Sequence, residues 1–140
     1  MSTIITRAGK GSPLTHTEVD ANFTNLNTDK AGYIAGEGGV VTQATSKSTS
    51  VTLNKKCGLI TLHNAALASN AIVSFTFTNS TIASTDVIAL NHASGGTAGK
   101  YVLNAQAAAG SASINVTNIS SGSLSEAIVI RFAVIKAVTT

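Results

Sequence analysis

"EAIVIRFAVIKAV", residues 126–138, is the stretch whose reading decides the fold. Ile128, Ile130, Phe132 and Val134 occupy alternate positions, the period of a β-strand with one face in a core. Val129 and Ile135 make the opposite face apolar too, with only Arg131 interrupting it. Such a strand belongs at the centre of a sheet, or is covered on its second side by another subunit.

Short runs of the same kind precede it. They are "VVTQAT" (40–45), "SVTLN" (50–54), "GLITLHN" (58–64), "AIVSFTFTN" (71–79), "DVIALNH" (86–92), "KYVLNAQA" (100–107) and "ASINVTN" (112–118). In the fourth, Val73, Phe75 and Phe77 alternate with Ser74, Thr76 and Thr78. Strands of this length, linked by "ASGGTAG" and "AAAGSA", predict a mainly β fold. The expected architecture is an antiparallel β-sandwich or jelly roll of seven to eight short strands over residues 40–140. No repeat of fixed period is apparent.

The front of the chain reads differently. Residues 1–13 are polar and contain glycine, which predicts an extended arm that orders on contact with something. In "PLTHTEVDANFTNLNTDKAG" (13–32), Thr15 and Glu18 have the spacing of a capping box, and Leu14 and Val19 the positions of a hydrophobic staple. Lys30 and Gly32 suit the far end. A short helix over 14–32 follows, then a glycine-rich hinge over 33–39. Val19, Phe23 and Leu26 fall at i, i+4 and i+7, and the heptad extends to His16 and Tyr33. A seam this narrow has the width of a coiled coil. The same three residues would also serve a helix docked on its own β-domain, and both arrangements stay open here.

The charged fraction is 11%, less than half the usual share of about 25%. A surface so poor in charge points to partial coverage by partners. The net charge of +3 comes from nine scattered basic residues whose nearest approach to a run is Lys55-Lys56. With no Trp and no basic cluster, the pattern argues against a nucleic-acid binder. Cys57 is the only cysteine, so no internal disulfide forms, and a half-buried small hydrophobe is its expected role. The N-terminal residues lack the apolar run of a signal peptide, and no stretch has the length of a membrane span. The expectation is a chain made in a cytoplasm.

Chemistry is thinly supplied. His63 and His92 each close a strand before a turn, and a site built from these two and Asp86 has nothing else to favour it. No metal-ligand spacing, phosphate-binding glycine loop or nucleophile elbow occurs. No catalytic residue, metal or cofactor is expected, and the chain does not read as an enzyme.

The segment Gly11-Ser12-Pro13-Leu14-Thr15-His16, followed by residues 18–27 ("EVDANFTNLN"), resembles one found near the front of tailed-bacteriophage fibre and appendage proteins. Residues 41–67 and 118–138 look like short phage virion proteins. The resemblance implies a virion structural protein and a homotrimer, with the seam His16, Val19, Phe23, Leu26 and Tyr33 on the three-fold axis. The chain is shorter than a full tail fibre. It suits a capsid decoration protein (a cement or short head fibre) whose arm residues Ile4, Ile5, Arg7, Lys10, Pro13 and Leu14 anchor it among other virion proteins. The alternative is a short tail fibre or tip that binds a host surface receptor or glycan, with His92, Lys100 and Tyr101 as distal contacts.

Overall fold

A computed structural model describes residues 4–28 and 36–137, without the side chains of 25–28. Two helices, α1 (Arg7–Lys10) and α2 (His16–Thr28), precede eight strands. These are β1 (Gly38–Thr42), β2 (Val51–Thr52), β3 (Cys57–Thr61), β4 (Ile72–Thr78), β5 (Val87–Ser94), β6 (Tyr101–Ala108), β7 (Ser111–Asn118) and β8 (Val129–Ile135). All eight sequence runs carry a strand.

The strands form two four-stranded sheets, β1-β3-β8-β5 and β2-β4-β7-β6. Inward residues of both sheets build one core, in which Phe77 and Phe132 meet edge to face with centroids 4.7 Å apart. Ile130, Phe132 and Val134 are buried as the two-residue period requires, and β8 lies centrally between β3 and β5. Asn79 and Asn118 are buried too, but their amides are fully used. Asn118 Nδ2 donates to the carbonyls of Leu67, Ala68 and Gly122, while its Oδ1 accepts from Ser120. Asn79 spans Lys55 O and Thr81 in the same manner. Each amide gives a loop the hydrogen bonds that strand pairing gives elsewhere.

The sandwich is not wholly antiparallel. β1 pairs with β3, and β2 with β4, in parallel. The reason is the chain path: β1, β2, β3 and β4 alternate between the sheets. One crossing reverses the direction and a second restores it, so strands separated by two crossings run the same way. Gly58 permits the first of these pairs, because a Cβ there would stand 2.3 Å from the carbonyl oxygen of Gly39. The four remaining strand pairs are antiparallel and include one tight hairpin, β6 to β7, closed by Ala109 and Gly110.

The arm also departs from an extended form. Thr6 accepts from Gly9 N at 3.1 Å and Gly11 adopts φ +72°, so a capped single turn spans Arg7–Lys10. α2 is described as far as Thr28; Lys30, Gly32 and Tyr33 lie outside the described residues. Among the described residues, neither helix makes an extended packing contact with a strand.

Candidate interaction surfaces

Three regions bear on function: the helical front end, the loop end of the sandwich, and the outer faces of the two sheets.

At the front end the capping box is formed. Glu18 N donates to Thr15 Oγ1 at 3.2 Å, and Thr15 N donates to a Glu18 carboxylate oxygen at 2.7 Å. Lys10 Nζ donates to that same carboxylate, joining α1 to α2. Asn22 holds the arm from the other side: Ile5 N donates to its Oδ1 at 2.8 Å and its Nδ2 donates to Ile5 O at 2.7 Å. The arm is therefore folded back on α2, and Asn22 is an anchor for it instead of a solvated residue. Ile4 and Ile5 stay partly exposed, as do Arg7 and Pro13, while Leu14 and Val19 are half-buried as a staple would require.

Lys10 first, and then the Thr15 amide and hydroxyl, lower the Glu18 carboxyl from 4.5 to about 2. The folded value lies below the unfolded one, so this contribution to the helix is complete above pH 4.5 and fades as pH falls toward 2. Far-ultraviolet circular dichroism should show helical signal lost across that window, and Lys10→Met should narrow the window from its acid side. An unchanged acid profile in Lys10→Met would count against this junction.

Along the predicted seam, His16 is exposed, Val19 is half-buried and Phe23 is 68% exposed. Leu26 lies within α2, but its side chain is outside the described residues, as is Tyr33. A phenylalanine this open on a helix surface is an apolar group without a cover among the described residues.

At the loop end, the expected distal contacts are mostly turned inward. Tyr101 is buried, and its hydroxyl donates to Glu126 at 2.8 Å. Glu126 also accepts from Thr97 N at 2.9 Å and Thr97 Oγ1 at 2.6 Å. Thr97's hydroxyl and amide, followed by Tyr101, hold the Glu126 carboxyl below its usual range. Burial, and then the Glu126 bond, push the Tyr101 phenol up. The His92 ring stands edge-on to Tyr101, 5.7 Å away, with Nε2 at 2.6 Å from Gly95 O. Gly96 lies at φ +63°, where a Cβ would meet Ile128 at 2.5 Å and Glu126 at 2.8 Å. These residues lock loop 95–100. Tyr101 is thus a strut because it faces the core side of β6; Lys100 alone of the three is fully open.

Sequence reasoning missed the plug beside this loop. Lys47 is 3% exposed, and its ammonium donates to the carbonyls of His63 and Glu126, the latter at 2.6 Å. Gln43 closes the loop around it, donating to Lys47 O and Thr49 O and accepting from His63 N. His63 Nδ1 accepts from Ala65 N at 3.0 Å, so this histidine is a turn residue. Among the described residues no three His, Cys, Asp or Glu side chains group as a metal site, and none of the helices is long and apolar enough to cross a membrane.

The outer faces of the sheets contrast. On β4, β7 and β6 the outward residues are Ser, Thr, Asn and Gln with a few apolar ones, and none is charged; Ser74, Asn115 and Asn104 form a hydrogen-bonded row across them. The outward face of β1-β3-β8-β5 is mainly apolar, interrupted by Thr42, Thr61, Asn91 and Arg131. It carries a trough of about 430 Å³ lined by Cys57, Leu59, Ala89, Ala133 and Arg131 among others. Val40, Val87 and Ile135 stand around it, each more than half exposed.

Comparison with protein-family models, curated proteins and solved structures gives no match to this chain.

Proposed function

We propose that this chain is a structural protein of a tailed-bacteriophage virion, a homotrimeric decoration protein that binds the capsid through its N-terminal region. The observation that carries the proposal is the helical front end: a segment that resembles phage appendage proteins, capped at Thr15 and Glu18, with Phe23 left open on a helix that makes no extended contact with a strand among the described residues. Three such helices in parallel would bury Val19, Phe23 and Leu26 against one another, a gain of about 1.5–3 kcal/mol for each side chain fully covered. A helix of this length needs such help, since it is marginal in isolation. The folded arm, with Ile4 and Ile5 still partly exposed, is the part offered to the capsid. The sandwich then faces outward.

The receptor-binding alternative calls for an open aromatic platform at residues 92–101. Tyr101 is buried there, which favours the decoration reading over it. An antibody raised against the purified chain, used to label phage particles from the source of the sequence by electron microscopy, tests the assignment. Label over the head surface is the expected result. Label at the tail tip would favour the receptor-binding reading, and unlabelled particles would overturn both.

A further inference from the structure

We infer that the apolar trough on the outer face of sheet β1-β3-β8-β5 receives the β1 edge of a second copy of this chain, closing the three sandwiches into a ring. The inference rests on the homotrimer proposed above and names the contact by which the sandwiches join it.

The two faces of the sandwich are built for different surroundings. The β2-β4-β7-β6 face is mainly hydroxyl- and amide-bearing, with Ile72 and Val102 as its open apolar residues and a satisfied row of hydrogen bonds across it. The opposite face is mainly apolar around Arg131 and Asn91, with Val40 67%, Val87 54% and Ile135 52% exposed. That combination marks a surface meant for cover.

The edge strand selects the occupant. β1 is the first strand of the sandwich and lies at the edge of the apolar sheet in every copy. Each edge presents unpaired backbone groups beside the open Val40 side chain, the kind of strand that pairs or is covered. The trough next to it is floored by small residues, Cys57, Gly58, Ala89 and Ala133, and so has room for a ridge.

Charge points the same way. Arg131 lies in the trough and makes no ion pair among the described residues. Glu37 stands immediately before β1 and makes none there either. Edge-into-face packing brings the Glu37 of one copy toward the Arg131 of the next. The contact is heterologous, and three of them close a ring.

Light scattering of the full chain over a range of concentrations tests this, with thermal melting as the check on folding. Ala89 is exposed, so Ala89→Lys should leave melting of the sandwich unchanged while weakening trimer association at least tenfold. Arg131→Glu should weaken it as well, and Glu37→Lys combined with Arg131→Glu should restore it. Val40→Lys, at an equally open position, should repeat the Ala89→Lys result. A trimer of unchanged association in both lysine variants would overturn the trough contact while leaving the homotrimer standing. Failure of the double charge reversal to recover association would overturn the Glu37–Arg131 pairing. A full-length protein monomeric at every concentration would overturn the homotrimer itself.

Discussion

Phe77→Ala is expected to destabilise the sandwich by about 3–5 kcal/mol in chemical denaturation. Phe77 is fully buried, and its ring meets Phe132 across the sheets at 4.7 Å. The loss combines the transfer free energy of the ring with the cavity left between two sheets that cannot collapse onto it. Against a typical total of about 5–15 kcal/mol, this is a large fraction. Phe23→Ala offers the contrast, because its ring is largely exposed. It should leave the denaturation of the sandwich unchanged and act on assembly alone. Equal costs for the two substitutions would mean that α2 belongs to the core.

Lys47→Met should cost about 2–5 kcal/mol, since the stem keeps its volume while the carbonyls of His63 and Glu126 lose their donor in a buried site. Burial lowers the Lys47 ammonium from its usual 10.5. The unfolded chain keeps that proton to higher pH than the folded one, so just below pH 10.5 the unfolded state binds more protons. Wild-type stability should therefore gain on that of Lys47→Met as pH rises into this window. Denaturation at a series of pH values measures the difference. A constant gap, or one that moves the other way, would show that the carbonyls and not burial dominate at Lys47.

Much of the strand content was legible because it depends on local pattern. The alternation in residues 71–79 and 128–134 is written one residue at a time, and the structure buries Phe75, Phe77, Ile130, Phe132 and Val134 accordingly. The capping box at Thr15 and Glu18 was legible for the same reason. Strand direction was not. The parallel β1–β3 and β2–β4 pairs arise from how often the chain crosses between sheets, which no residue encodes alone. The turn at Arg7–Lys10 did have a signal, Thr6 ahead of it and Gly11 behind it, hidden in a segment read as polar arm.

The loop end was the least legible. A lysine in a Ser/Thr-rich stretch reads as solvated, and Lys47 is buried only because carbonyls 16 and 79 residues away converge on its ammonium. Tyr101 and His92 lie side by side at one end, and their facing depends on the register of β6 against β7 and of β5 against β8. That register turns both rings inward and leaves Lys100 outside.

The central claim, that α2 assembles the protein, is tested most directly by the mass in solution of the full chain and of its Phe23→Asp variant at the same concentration. The expected mass is three times 14.1 kDa for the full chain, with smaller species for the variant and the sandwich still folded. A full chain of 14.1 kDa, or a variant that remains trimeric without weakening, would contradict it.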